Sequence, residues 1–507
     1  MFLCLDPCTW QGREYDDHTT PLDRINPDRL DVNQWIDAAE SFDAKMILFV
    51  AKHTGGFCWW QTETSGYSIK NTPYKNGKGD VLDELAKACF DRGMKLGIYI
   101  YPGDDTWGAY NGGGGKTKDP DKQEGYNRVL RKQWEEVLSR YGNQLTEIWF
   151  DGSVIVPLED VIKKHAPSAI VFQGPFADIR WVGNERGFCP YPNWYTVKAK
   201  DGVTGIATAE HNDPEGDMWL PVEVDVTLRN HYWFWSSTNE QYLRSLDDLM
   251  TIYYQSVGRG ATLLLNATPD TTGLIPAADM ALYRTYGGEI RKRFETSVAE
   301  TSGNGNTLEL RLDHPAIIDH VIIQEDIVFG QRVRQYAIEG FTENKWTQLS
   351  NGLSIGQKRI ERFSPVEVTS VRLRVDESAF PPVIKRFAAF YAGPDNDGKP
   401  SGLETKTEKD IGTCRISSGG HFEFDLSPYI PLAEQYTLRF KSREEVVRPA
   451  HVSLWLQGVE TPDFAAVHTD GSIHVNITAY PGMKKGSIVI KGRFDKKPAK
   501  ACRLYIQ

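Results

Sequence analysis

At 507 residues the chain is long enough for two or three domains, each with its own core. A formal charge of −10 at pH 7 argues against nucleic acid or an anionic membrane as the main partner, and no apolar run is long enough to cross a bilayer as a helix. The seven cysteines (4, 8, 58, 89, 189, 414 and 502) are odd in number and include no CxxC pair, and no HExxH motif occurs, so neither a disulfide framework nor a zinc site is expected. They should be mostly reduced and buried, with a Cys4–Cys8 bridge or metal pair as the minor alternative. No cofactor and no metal are called for.

The first predicted element, Met1–Leu5, reads as a core strand. It lacks the basic region and long apolar core of a signal peptide, and because the chain opens directly on a core strand it reads as trimmed at its N-terminus. Further apolar runs follow at Met46–Val50, Leu96–Tyr101, Ile148–Phe150, Ala169–Phe172 and Thr262–Leu265. Between them lie helix-period segments at Val32–Ser41, Val81–Arg92, Glu124–Arg140, Glu159–His165, Ser245–Ser256 and Ala277–Arg293. Asp80 is placed to cap the second helix, and Pro276 to start the last. Alternation of this kind over residues 1–296 predicts a (β/α) TIM-like barrel. Only Gly183–Asn239 breaks the rhythm; rich in Trp, Tyr, Pro and Asp, it reads as a long active-site loop.

Beyond the barrel the pattern becomes all-β. Residues 297–394 hold short alternating runs (Leu308–Leu312, His320–Gln324, Tyr336–Gly340, Ser370–Val375 and Phe387–Tyr391), as in an antiparallel sandwich. Gly393–Gly402 is dense in turn formers and reads as a linker. A second β-sandwich occupies 395–507, with strands near Phe422–Phe424, Tyr436–Phe440, Val452–Leu456, Ile473–Ile477 and Ser487–Lys491.

Chemistry concentrates at the strand ends, where a parallel α/β barrel meets its substrate. The strand Ile148-Trp-Phe150 runs into Asp151-Gly152, which offers a carboxylate just past a buried strand. Taken alone, such an Asp-Gly is more often a turn or helix cap. Lys52-His53 and Gly55-Gly56 follow the second strand; Tyr99 and Tyr101, then Asp104-Asp105, follow the third. A lone His53 is ordinarily a satisfied core histidine. Asp104-Asp105 is ordinarily solvated loop, with a calcium corner as the minor reading. The sequons at Asn266 and Asn476 are of a kind that arises by chance, and the lysine pairs at 484–485 and 496–497 read as solvated loop. Aromatics make up 11% of the chain, including 14 Trp, enough to line a sugar-stacking cleft after the cores are filled.

With these pieces in order, the chain resembles glycoside hydrolase family 29, the retaining α-L-fucosidases. The resemblance rests on Gly12-Arg-Glu-Tyr15, Ala51-Lys-His53 with Gly-Phe57, Gly97-Ile-Tyr99, Trp149-Phe-Asp-Gly152, Arg180-Trp-Val-Gly-Asn-Glu185 and Leu263-Leu-Leu-Asn266. The Arg180–Glu185 tract is similar to the subgroup acting on α-1,3/1,4-fucosides, and residues 297–394 to a discoidin-like sandwich. The resemblance implies exo-acting release of α-L-fucose from fucosylated oligosaccharides or glycoconjugates, without a cofactor, in a secreted or periplasmic setting. It implies Asp151 as nucleophile and Glu185, 34 residues later, as acid/base. His53, Tyr99 and Trp149 are implied at the sugar and Trp60 beside the pocket, and Trp181, Arg229 and Cys4 join them as substrate-contact candidates. Glu210, Glu215 and Glu223 remain alternatives for the acid/base, while the preferred reading of Glu223-Val-Asp225 is a strand whose carboxylates pair with Arg229. Two departures stand out: Cys4 occupies the place of a family histidine, and His53-Thr54 replaces a His-His pair. Another α-L-sugar, such as an α-L-galactoside, and a non-catalytic carbohydrate-binding relic are the competing functions.

Overall fold

The computed structural model describes residues 1–202 and 212–393 continuously, and separate stretches between 409 and 506. Glu210, both lysine pairs and all but the first residue of the predicted linker lie outside the described residues. Contacts divide the chain into two compact units: Met1–Gly183 with Gly187–Gly402, and Asn184–Arg186 with Leu403–Gln507.

The first unit opens with an eight-stranded parallel sheet. Its strands are β1 (Phe2–Leu3), β2 (Met46–Lys52), β3 (Lys95–Ile100), β4 (Leu145–Trp149), β5 (Ile170–Phe172), β6 (Arg180–Trp181), β9 (Val222–Val226) and β10 (Thr262–Ala267); β7 (Thr196–Val197) and β8 (Met218–Trp219) form a separate ribbon. The order is β5-β4-β3-β2-β1-β10-β9-β6, and a single parallel bridge from Phe172 to Ile179 brings the two edges together, so the barrel is nearly closed. The surrounding helices are α2 (Val32–Ser41), α3 (Val81–Arg92), α4 (Gln123–Tyr141), α5 (Glu159–His165), α6 (Leu246–Gln255) and α7 (Ala277–Phe294), after a single turn, α1 (Cys8–Gln11). The Asp80 carboxylate caps α3 by accepting from the Asp83 amide at 2.9 Å. One barrel strand, β6, falls outside the predicted set, because it is only two residues long. The strand read at Glu223-Val-Asp225 is β9, Val222–Val226, in which carboxylates alternate with valines and every residue is buried.

Strand parity decides which side chains enter the barrel. Along β2, Ile47, Phe49 and Ala51 pack outward against the helices, while Leu48 and Val50 join the interior cluster. The same alternation on β4 sends Ile148 and Phe150 outward and Trp149 inward. Glu147 and, past the strand end, Asp151 share the inward parity. On β9, Glu223 and Asp225 take it, both almost fully buried.

After α7 come β11 (Ala299–Asn304), β12 (Thr307–Glu325), β13 (Val333–Thr342), β14 (Lys345–Gly352), β15 (Arg359–Ser378) and β16 (Val383–Phe390), all antiparallel, in the order β11-β16-β12-β15-β13-β14. Several predicted short strands are segments of two long ones: β12 runs 19 residues and β15 runs 20, and their pairing slips between Arg311 and Ala316 and between Ile318 and His320. Residues on and beside this sheet hold the part of the long loop around Tyr191 and Asn193. Ser354 accepts from the Asn193 amide at 3.0 Å, Gln331 donates to the Asn193 carbonyl at 2.9 Å, and the Arg359 guanidinium stacks over Tyr191 at 4.0 Å.

The second unit contains β17 (Lys409–Cys414), β18 (His421–Asp425), β19 (Gln435–Ser442), β20 (Glu445–Val446), β21 (His451–Leu456), β22 (Val459–Thr461), β23 (Ala465–Val467), β24 (Ser472–Asn476), β25 (Ile488–Arg493) and β26 (Cys502–Ile506). One sheet has the order β17-β26-β19-β24-β23 and the other β18-β25-β21-β22. Phe422, Phe440, Leu454, Ile473, Ile490 and Leu504 are among the side chains that form its core. All seven cysteines are free and buried, Cys4 and Cys8 included.

Candidate active site

Asp151 stands two residues past the end of β4, where Gly152 takes a positive φ of 80° that suits a glycine. The residue is exposed, whereas Trp149 and Phe150 immediately before it are buried. The Tyr99 hydroxyl, from the end of the neighbouring β3, donates to Asp151 Oδ2 at 3.1 Å. Protein packed around the strand end raises the carboxyl above its ordinary range by desolvation, and the Tyr99 hydrogen bond opposes that rise.

Beneath this carboxylate lies an aromatic floor. Trp149 stacks on Phe172 with ring centroids 4.2 Å apart and an interplanar angle of 4°, and meets Phe2 at 5.1 Å and Tyr99 at 5.4 Å. The Trp149 indole Nε1 donates to Glu223 at 2.8 Å. At 3% exposed, Trp149 serves as a support for the site and offers no open face to a ligand. Trp181 is half-buried, and its indole nitrogen donates to Asp225 at 2.7 Å. Two successive inward carboxylates of β9 thus each hold an indole. Glu223 and Glu147 are both pushed above the ordinary carboxyl range by burial, so a proton shared between them keeps a second full charge out of the interior.

His53 packs among Phe234 at 4.9 Å, Tyr15 at 5.9 Å, Tyr101 at 5.9 Å and Tyr99 at 6.1 Å. Burial lowers its pKa to about 3, so it presents a neutral imidazole. Thr54 Oγ1 lies 3.5 Å from His53 Nδ1. Gly55 and Gly56 pack directly on the Asp16 and Asp104 carboxylates, since a Cβ at either position would sit 2.3 Å from a carboxylate oxygen. Cys4 is buried in the interior cluster with its thiol pKa raised by desolvation.

Several sequence expectations are corrected. Trp60 is fully buried in the helical layer, its indole nitrogen donating to Glu136 at 2.9 Å, because the chain after His53 turns outward and joins the packing against α4. Arg229 is not a sugar contact, and it does not pair with Glu223 or Asp225. Its guanidinium meets both oxygens of Asp279 on α7, at 2.6 and 3.1 Å, because β9 directs those two carboxylates inward, toward the indoles. Asp104 is no calcium corner: Lys52, itself buried, donates to it at 3.2 Å and also reaches Tyr126 and Gln133. Burial alone would lower the Lys52 pKa, but Tyr126 and Asp104 reverse the sign and raise it. Arg180 is consumed by the backbone, donating to the carbonyls of Leu220 and Trp194. The Asn266 side chain is likewise internal, donating to the Trp233 carbonyl at 3.2 Å, which rules out glycosylation of that sequon in the folded chain.

Glu185 lies four residues past β6, half-buried, in the second unit, where the neighbouring Arg186 amide donates to Asn184 at 3.2 Å. Of its rivals, Glu223 is sealed beneath Trp149 and Glu215 is exposed beside the β7–β8 ribbon. Sequence reasoning missed Phe2, Phe172, Phe234 and Glu14, whose carboxylate accepts from the Trp233 amide at 2.8 Å. Phe172 carried a usable signal, because it ends β5 just as Trp149 ends β4. Phe234 had none beyond its place in an aromatic run.

A family model for α-L-fucosidase matches residues 10–288. α-L-Fucosidase 1 of Arabidopsis thaliana is 29% identical over 440 residues, covering 77% of this chain and 84% of the plant protein. A solved structure of a candidate α-L-fucosidase from Bacteroides thetaiotaomicron is 34% identical with a TM-score of 0.72, over 77% of this chain and 95% of that one. Another, from Bacteroides ovatus, is 28% identical with a TM-score of 0.69 and covers 99% of this chain and 89% of its own, so the likeness extends through the β-domains. With a nearly closed barrel, an exposed carboxylate at the end of its fourth strand and a family model spanning most of that barrel, the chain belongs to the α-L-fucosidase family of glycoside hydrolases.

Proposed function

We propose that the chain releases α-L-fucose from the ends of fucosylated glycans, in α-1,3 or α-1,4 linkage, by a retaining double displacement. The observation that carries this reading is the exposed Asp151 just past the end of β4, its carboxylate held by the Tyr99 hydroxyl. In the first step an Asp151 oxygen attacks the anomeric carbon, the glycosidic C–O bond breaks, and Glu185 gives its proton to the departing oxygen. Water then attacks the same carbon from the vacated side, Glu185 takes the water's proton, and the aspartyl ester opens to free sugar. A double displacement of this kind needs its two carboxyl groups about 5–5.5 Å apart.

Tyr99 supports the first step by holding Oδ2 while Oδ1 attacks. The neutral His53, among Tyr15, Tyr101 and Phe234, suits a hydroxyl-bearing ring with an apolar methyl edge, since an uncharged imidazole both donates and accepts. The burial of Cys4 favours a second substrate reading, an α-L-galactoside, because a family histidine contact with the sugar is absent there. A non-catalytic relic would have no use for a carboxylate held exposed at a strand end.

Trapping with a slow fluorinated α-L-fucoside, followed by digestion and mass analysis, tests the nucleophile directly. The label is expected on the peptide carrying Asp151, and label on another peptide would overturn the assignment. The acid/base role is tested by Glu185→Ala. Substrates with poor leaving groups should lose about 10²–10⁴-fold while activated aryl glycosides lose far less. Equal losses would reassign the role.

A further inference from the structure

Trp149 is held from two directions. Its stack on Phe172, with planes 4° from parallel, sets the tilt of the ring but resists rotation within the ring plane only weakly. The in-plane setting comes from the indole N–H, which donates to Glu223 at 2.8 Å. That bond crosses the barrel interior. β4 and β9 are not neighbours in the sheet, and 74 residues separate the two side chains along the chain.

A carboxyl is a costly group to place there. Glu223 is 1% exposed, and Glu147, two residues before Trp149 on the same face of β4, is its buried electrostatic neighbour. Burial pushes both carboxyls up, and a pair of aliphatic side chains would fill the same interior without that desolvation. What an aliphatic pair lacks is a directional acceptor for the indole. The bond type alone does not mark a site, because Trp60 donates to Glu136 at 2.9 Å in the helical layer. Connection to the reacting carboxylate sets Glu223 apart. Along β4, Trp149 lies two residues before Asp151. Across the rings, Trp149 meets Tyr99 at 5.4 Å, and the Tyr99 hydroxyl donates to Asp151 at 3.1 Å.

We infer that Glu223 is a positioning residue for the hydrolytic reaction: by fixing the in-plane setting of Trp149 it aligns Tyr99 and, through Tyr99 and β4, the carboxylate of Asp151. The inference rests on the reading of Asp151 as nucleophile. Glu223 makes and breaks no bond itself. Its effect is on how often Asp151 presents an oxygen in line with the anomeric carbon, so it acts on kcat more than on KM.

The test compares Glu223→Leu, Glu223→Gln, Trp149→Phe and the Glu223→Leu/Trp149→Phe double variant, with Glu136→Leu as a control on the other indole–carboxylate bond. Three quantities are read: kcat and KM on an aryl α-L-fucoside, the rate of covalent labelling by a slow fluorinated α-L-fucoside, and Tm. Glu223→Leu should lower kcat and the labelling rate about 10–10²-fold with KM changed by about twofold or less. Glu223→Gln keeps an acceptor oxygen and should restore most of the rate. Trp149→Phe should be as slow as Glu223→Leu, and the double variant no slower than either, because both remove one bond. Glu136→Leu should lower Tm while kcat, measured below the melting range, stays as in the parent chain.

A parental kcat in Glu223→Leu, a Glu223→Gln variant as slow as Glu223→Leu, multiplied losses in the double variant, or a fall in kcat in Glu136→Leu equal to that in Glu223→Leu would overturn the inference. Should Glu223→Leu not fold, Glu223→Gln against Trp149→Phe decides: a near-parental rate in the first with a slow second supports it, and equal rates sink it. Label on a peptide other than the one carrying Asp151 would remove the nucleophile reading and this inference with it. Label on Asp151 at parental rates in every variant would remove the role of Glu223 alone.

Discussion

At the end of β2, Lys52 is fully buried and its ammonium meets Asp104, Tyr126 and Gln133; at the end of β4, Asp151 is exposed and, among the described residues, its one hydrogen-bond partner is Tyr99. Arg229 belongs with Lys52, because its guanidinium is matched to both oxygens of Asp279 and to Asn239. All three are charged groups associated with barrel strands. In two of them the fold uses the charge completely, with geometry that satisfies most of the donors and leaves nothing for a ligand. In the third the charge is positioned but left open. A charged residue at a strand end is thus a functional candidate only when the neighbouring elements leave it incompletely paired, and that depends on partners 50 or more residues away, such as Asp104 for Lys52 and Asp279 for Arg229.

That contrast is open to direct attack. Asp151→Ala should lower kcat by about 10³-fold or more with no loss of Tm. Because the fold raises this carboxyl above its unfolded value, the stability it contributes is complete in acid and declines as pH rises through the folded value, so at neutral pH the variant sheds a cost. Thermal unfolding alongside kinetics checks both halves, and a large fall in Tm would place Asp151 with Lys52. Lys52→Met should do the reverse, costing about 3–5 kcal/mol by leaving Asp104 buried without its cation. Denaturant melts would show a midpoint shift, and a variant with normal stability would break the distinction.

His53→Phe probes the next largest effect. The histidine pKa is lowered to about 3 by burial, so its contribution to stability is complete above the unfolded value near 6.5 and is lost as pH falls toward 3. Near pH 4 that loss is about 2–3 kcal/mol, and the variant should show a smaller drop in Tm between pH 7 and pH 4 than the parent chain. Tyr99→Phe should be mildest, lowering kcat/KM about tenfold. Removing the hydroxyl raises the Asp151 pKa, so the acid limb of the pH–rate profile should move to higher pH. An unmoved limb would detach Tyr99 from the nucleophile.

The sequence by itself determined the order of elements in the barrel and the parity of its strands. Repeated apolar runs and helix-period segments were enough for α2, α3 and α5, whose bounds the pattern predicted residue for residue. The place of Asp151 just past the end of β4 was legible from the apolar run before it, whereas its proposed role came from the resemblance and not from the Asp-Gly pair itself. Barrel closure was not legible, since β6 is two residues long and the carboxylates of the strand at Glu223-Val-Asp225 were assigned to Arg229 and not to the indoles of Trp149 and Trp181. The roles of Trp60, Trp149 and Arg229 were decided by tertiary structure alone. An indole or guanidinium looks the same in a sequence whether it faces sugar or a buried carboxylate, and Glu136, Glu223 and Asp279 lie 50 to 76 residues away along the chain. Local periodicity encodes which face of a strand is inward, but the pairing of buried polar groups is set by contacts that form only when distant elements pack.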